Sequence, residues 1–317
     1  MMGEINAIAT QGLTKQFERH IAIKNIDLEV AEGEVYGLIG PNGAGKTTLI
    51  RLLAMAEEAT VGEIYLYGDR LSKEDSNLRL KQYIGYLPDD FPLYEELTVW
   101  DYLDYFARLY FLQTPHRRRR LEEVLELVQL TSKRHSTIAT LSRGMKQRLS
   151  LARTIIHEPI LLLLDEPVSG LDPIARMQFR EIIKVLQSAG MTVLISSHVL
   201  SDLAELCTSI GIMELGSLVE STSLKTLYER LSHQTIHISV LDNPQALIQE
   251  LKQYSWVENC EMIPDSHQVK VHFTGNLEDS ANLLRSLILA GLPITQFHTS
   301  REDLETIFLK LGHQQAS

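Results

Sequence analysis

Two periodicities divide the chain. Up to about residue 215, short unbroken apolar runs alternate with stretches whose apolar residues recur every three or four positions. The runs are "VYGLIG" (35–40), "ILLLLDEP" (160–167), "TVLISS" (192–197) and "IGIMEL" (210–215). Unbroken runs of this length suit parallel strands covered on both faces, and helices between them suit βαβ units. The pattern predicts a doubly wound α/β core. "HIAIKNIDLEV" and "GEIYLYGD" alternate instead, and predict antiparallel hairpins at one side. Residues 98–150 read as mostly helix, an insert between two core strands that extends over about 92–150. Near residue 216 the pattern changes. "GSLVESTSLKTLYERLS" predicts an edge strand and a connecting helix over about 221–234.

Beyond residue 234 the order is strand, helix, strand, strand, helix, strand. The strands are "TIHISVL" (235–241), "WVENCEMIP" (256–264), "QVKVHFTG" (268–275) and "PITQFHT" (293–299). Asn243-Pro244 starts the first helix of this part and Gly291 stops the second, which covers about 277–290. A last helix is expected from Ser300, where Leu304, Ile307, Phe308 and Leu311 line one face. This βαββαβ order predicts a small ferredoxin-like α+β domain over 235–317, after a first domain over 5–220. There is no internal repeat and no low-complexity segment.

Composition narrows the functions. The chain has 317 residues, 44% hydrophobic and 22% charged, which suits a globular protein with a large core. A net charge of −11 argues against general nucleic-acid binding. Cys207 and Cys260 stand far apart, without metal-ligand spacing, and read as reduced thiols. No apolar run approaches the roughly 20 residues that span a bilayer, and the N-terminal residues do not read as a signal peptide. Any membrane role is expected to come through a partner chain.

The chemistry begins with "GPNGAGKTT", Gly40, Pro41, Asn42, Gly43, Ala44, Gly45, Lys46, Thr47 and Thr48. It matches G-x-x-x-x-G-K-[ST] and lies between an apolar strand and a helix, as a phosphate-binding P-loop must. Its backbone N–H groups wrap phosphates, Lys46 reaches the β- and γ-phosphates, and the Thr47 hydroxyl ligates Mg²⁺. Thr48 adds a phosphate contact. At the end of a buried strand, Asp165 is placed to hold Mg²⁺ and Glu166 to polarise an attacking water. In "LSRGMKQRLSLAR" (141–153), Ser142 and Gly144 open a basic amphipathic helix, whose free N–H groups favour an anion.

"LSRGMKQ", together with "SGLDP" (169–173) and "SSH" (196–198), resembles the ATP-binding subunit of ATP-binding cassette (ABC) transporters over about residues 5–220. The resemblance implies a P-loop NTPase cassette with a RecA-like, mostly parallel core, an antiparallel β subdomain and a helical subdomain. It implies ATP and Mg²⁺ as ligands, and a head-to-tail dimer in which Ser142 and Gly144 meet the γ-phosphate of the partner's ATP. Phe17 in "LTKQFE" matches the aromatic that stacks on adenine, with a core phenylalanine as the alternative. His198 matches the histidine that senses the γ-phosphate, and Asp172 the acid that links the two sites. Two positions depart from the family pattern. Asp89 stands where glutamine is usual, and can still ligate Mg²⁺ while adding negative charge. Arg143 stands where glycine is usual, and either faces solvent or lends charge to the phosphate.

The implied function is an ATPase subunit that drives a separate multispanning permease, held peripherally on the cytoplasmic face of the membrane through it. A second ATP-binding subunit, as a homodimer, completes the unit, and no nucleic acid is expected. "SREDLETIFLKL" resembles the ending of stand-alone subunits that serve exporters. The rival reading is a soluble ABC ATPase acting on nucleic acid or ribosomes. It is disfavoured by the single P-loop, by the acidic balance, and by the 96 positions between Lys46 and Ser142, which leave no room for a long coiled coil. A P-loop kinase would have no use for residues 141–147. "HRRRR" (116–120) reads first as a solvated helix start, with acidic lipid headgroups as the other possibility.

Overall fold

The apolar runs form strands whose central residues are buried. In the computed structural model, which describes residues 6–71, 78–90, 92–199, 203, 205–230, 234–263 and 266–300, all five residues of Val35–Ile39 and all four of Leu161–Leu164 are buried. Each buried valine, leucine or isoleucine among them contributes roughly 1.5–3 kcal/mol relative to exposure. The described residues fall into two compact units, 1–225 and 226–317.

In chain order the first unit holds β1 (Asn6–Phe17), β2 (His20–Ile26), β3 (Glu29–Ala31), β4 (Val35–Ile39), α1 (Lys46–Leu53), β5 (Val61–Leu66) and β6 (Asp69–Arg70). Next come α2 (Leu78–Tyr83), β7 (Ile84–Leu87), α3 (Val99–Leu109), α4 (His116–Leu127), α5 (Arg143–Ile155) and β8 (Leu161–Leu164). The unit ends with α6 (Pro173–Ser188), β9 (Thr192–Ser197), β10 (Ser209–Glu214) and β11 (Ser217–Ser223). Helix α7 (Leu224–Arg230) crosses the boundary between the units.

A six-stranded sheet has the order β11-β10-β4-β9-β8-β7. Its pairs are parallel except β10–β11, which puts the antiparallel strand at the edge. Strand β9 lies between β4 and β8, with Ile39 opposite Ser197 and Leu164 opposite Ile195. Whatever follows these three strands therefore emerges side by side at one edge of the sheet, where ligands of such folds bind. A second sheet, β2-β1-β5-β6 with β3 on β1, is antiparallel. Leu13 and Ile26 of this sheet share a core with Leu49 of α1 and with Leu163 and Leu194 of the parallel sheet.

Helices α3, α4 and α5 are inserted between β7 and β8, with 3-10 turns at Thr131–Lys133 and Ile138–Thr140. The basic run of α4 is largely paired within the chain. Arg117 meets Asp104 at 2.8 Å, Arg118 meets Glu122 and Arg119 meets Glu123. Arg120 turns inward and donates to the carbonyls of Ile155 and Ile156 at 2.7 and 3.3 Å, capping the end of α5. The connecting helix begins at Leu224 rather than near 221, because β11 pairs with β10 as far as Ser223.

The second unit holds β12 (Gln234–Val240), α8 (Pro244–Leu251), β13 (Val257–Met262), β14 (Gln268–Phe273), α9 (Leu277–Leu289) and β15 (Ile294–Ser300). Its antiparallel sheet has the order β13-β14-β12-β15. Val269, Val271 and Phe273 alternate into a core with Ile236, Leu247 and Leu283. Asn243 caps α8 by accepting from the Ala246 N–H, and Asn276 forms a capping box with Asp279 on α9. The helix expected after Ser300, and with it the "SREDLETIFLKL" ending, lies outside the described residues. Among the described residues no helix is long and apolar enough to cross a membrane.

Candidate functional site

Residues 40–45 link β4 to α1 and turn the chain back on itself, with Gly43 and Gly45 at φ of 83° and 103°. This turn leaves the start of α1 facing the edge where β8 and β9 end. Lys46 is buried, at 5% exposure, and its ammonium donates to the carbonyls of Gly40 at 2.7 Å and Pro41 at 3.3 Å. It also lies 3.4 Å from Glu166 Oε1. The cation is thus folded back over the loop, where it can be shared with an arriving phosphate.

Asp165 and Glu166 follow β8, and their environments differ. Asp165 is fully buried. Its Oδ1 accepts from Ser196 Oγ at 2.7 Å and Thr47 Oγ1 at 3.2 Å, while its Oδ2 is buried with no hydrogen-bond partner. Burial pushes its carboxyl above the usual carboxylate range. The Ser196 and Thr47 hydroxyls pull it down, and the charges of Asp89 and Glu166 push it up further. An orphaned carboxylate oxygen beside a threonine hydroxyl, with two more acids near it, is a hard-oxygen donor set that fits a divalent cation. Among the described residues no three His, Cys, Asp or Glu are placed to hold a metal by themselves. Mg²⁺ takes one or two carboxylates and completes its shell with water and substrate phosphates.

Glu166 sits in the left-handed region at φ 47°, uncommon for a residue with a side chain. Its backbone N–H donates to Ser196 Oγ at 2.9 Å. Its Oε2 is 2.7 Å from His198 Nδ1 and accepts from the His198 N–H at 3.3 Å. Glu166 is therefore held between Lys46 and His198. Ser196 lies within "SSH", but the motif alone assigns it no role. It lies near the end of β9, two positions before His198, which follows the strand. Phe17 ends β1 and is 41% exposed, with the Lys15 ammonium 4.6 Å from its ring centroid. It is not a core phenylalanine. Asp89 is exposed on the loop after β7.

The other candidates gather at the starts of α5 and α6. Ser142 caps α5, accepting from the Met145 N–H at 3.3 Å, and Asp172 caps α6, accepting from the Ala175 N–H at 2.9 Å. Gly144 is buried where the two helices meet, and a Cβ there would lie 2.7 Å from Ala175 Cβ. Only glycine lets the helices approach so closely. Arg143 is exposed, and its guanidinium donates to the Ser169 carbonyl at 3.0 Å.

Residues 23–169 match a family described as ABC transporter. A Nostoc protein described as an uncharacterised ABC transporter ATP-binding protein is 36% identical over 295 residues, covering 92% of this chain and 83% of that one. The bacitracin transport ATP-binding protein BcrA of Enterococcus faecalis is 32% identical over 313 residues, covering 96% of each. Among solved structures, an ATP-binding subunit of an ABC transporter is 30% identical with a TM-score of 0.63, covering 71% of this chain and 92% of that one.

Proposed function

The chain belongs to the ABC transporter family as an ATP-hydrolysing subunit, and we propose that it powers a separate membrane permease by closing head to tail on a second copy of itself. The observation that carries this reading is the convergence of Lys46, Thr47, Asp165, Glu166 and His198 at the ends of three adjacent strands. In this reading Gly40–Thr48 hold the phosphates of ATP and Phe17 stacks on its base. Thr47 and Asp165, with Asp89 nearby, hold Mg²⁺, which when bound neutralises phosphate charge. Glu166 orients and deprotonates the attacking water, and His198 positions Glu166 and meets the γ-phosphate. Ser142, Gly144 and Asp172 serve the partner's ATP, because the start of α5 offers N–H groups and a positive dipole end to an anion.

Residues 5–220 form the cassette in this reading, and residues 235–317 an accessory domain of ferredoxin-like, split-βαβ type. Relatives named for bacitracin transport and linearmycin resistance support export as the direction. The chain would then sit on the cytoplasmic face of the membrane through its permease. Replacing Ser142 by arginine tests the composite site. Nucleotide binding by the monomer should stay near wild type, while ATP-dependent dimerisation, read by light scattering, should disappear. Loss of nucleotide binding by the Ser142→Arg monomer would overturn the reading.

A further inference from the structure

Arg143 breaks a local rule. It occupies the first position of α5, where the helix dipole disfavours a cation, in a motif expected to receive an anion from outside. A residue that violates local preference usually answers to a contact made elsewhere. Here the contact lies 26 residues away: Arg143 Nη2 donates to the Ser169 carbonyl at 3.0 Å. The guanidinium lies over Gly170, where a Cβ would come within 2.5 Å of both terminal nitrogens. Gly170 also holds φ 66°, so the loop is shaped to admit the arginine. Ser169 in turn donates its N–H to the carbonyl of Glu166 at 3.1 Å, closing the turn that begins at the proposed base.

We infer that Arg143 is a positioning residue that ties the start of α5, the half-site this chain lends to its partner, to the 166–170 turn of the half-site it keeps. The inference rests on the composite-site reading above. It concerns how two parts of one chain stay in register, not a contact with nucleotide. Through Ser169, a shift of α5 on dimer closure reaches the backbone that carries Glu166. The brace is thus the route by which loading one site adjusts the other.

The test uses the full chain and steady-state ATP hydrolysis, with thermal melting to confirm folding. Arg143→Ala should lower kcat about tenfold, the size expected for one charge-assisted hydrogen bond, with KM for ATP within about twofold. Arg143→Lys should recover part of the loss, since an ammonium reaches the carbonyl but lacks the fork. Gly170→Ala, which evicts the guanidinium, should lower kcat by itself, and the double variant should be no worse than the more damaged single variant. Unchanged kcat in Arg143→Ala, a rise confined to KM, or additive losses in the double variant would each overturn the brace. A wild-type chain without ATPase activity would overturn the proposed function instead.

Discussion

Replacing Gly144 by alanine separates packing from function at the start of α5. The new Cβ would stand 2.7 Å from Ala175 Cβ. Carbon atoms in contact settle at about 3.5–4.0 Å, so α5 and α6 must part by about 1 Å. Overpacking of this kind costs about 1–3 kcal/mol. Alanine recovers at most about 1 kcal/mol in helix propensity, and less in a first turn. The net loss should be about 1 kcal/mol, a fall in Tm of about 2–4 °C for a domain this size. Turnover should suffer far more if the proposed composite site is right, because a displacement of about 1 Å in groups that meet a reacting phosphate costs roughly a hundredfold. Thermal melting and phosphate release measure the two effects on one preparation. Adding Ala175→Gly removes the colliding methyl and should restore most of the turnover. If the double variant stays as inactive as Gly144→Ala, or if Gly144→Ala turns over normally, the steric reasoning is wrong.

Two further outcomes follow from the site and its supports. Glu166→Gln should slow hydrolysis by about 10²–10⁴-fold, leave ATP binding intact and trap an ATP-bound dimer, since the amide cannot accept the proton; wild-type turnover by the variant would remove Glu166 from that role. His157 stacks on Tyr110 with centroids 4.0 Å apart, has Nε2 3.0 Å from the Ile84 carbonyl, and buries an unpartnered Nδ1. Burial depresses its pKa below the ordinary 6.5, against the Ile84 bond, which raises it, and with the Arg120 charge, which lowers it. An unfolded chain takes up a proton below that value while the folded chain resists, so stability should fall as pH drops through about 6.5. Urea midpoints of wild type and His157→Gln should diverge between about pH 7.5 and pH 5.5, and parallel profiles would refute the assignment.

Much of this arrangement was legible in the sequence because its signals are local. Unbroken leucines before Asp165 describe a strand buried on both faces, and Asn243-Pro244 names a helix start, whatever the rest of the chain does. Lys46 and Thr47 were equally readable, since a P-loop builds its cradle from consecutive residues. What the sequence could not show are contacts between segments. Ser196 looks like any strand serine until Asp165 and the Glu166 N–H are placed on either side of its hydroxyl. The glycine at 144 is explained by Ala175, and the arginine at 143 by Ser169, both supplied by a different stretch of chain. The left-handed backbone of Glu166 has no sequence signature, because the fold imposes it.

Helix α5 is held at both ends. Arg120 of α4 grips the last carbonyls of its far end, Arg148 on its flank donates to the Val128 carbonyl at 2.9 Å, and Arg143 fixes its start. Its 13 residues make a rod of roughly 20 Å with few soft torsions along it. A mechanical load on α4 therefore reaches the start of α5 as a translation of the whole rod, with little lost to bending. In the proposed composite site this one helix would carry the stroke between a transmembrane partner and the nucleotide, and shortening or kinking it should uncouple the two while leaving each separately intact.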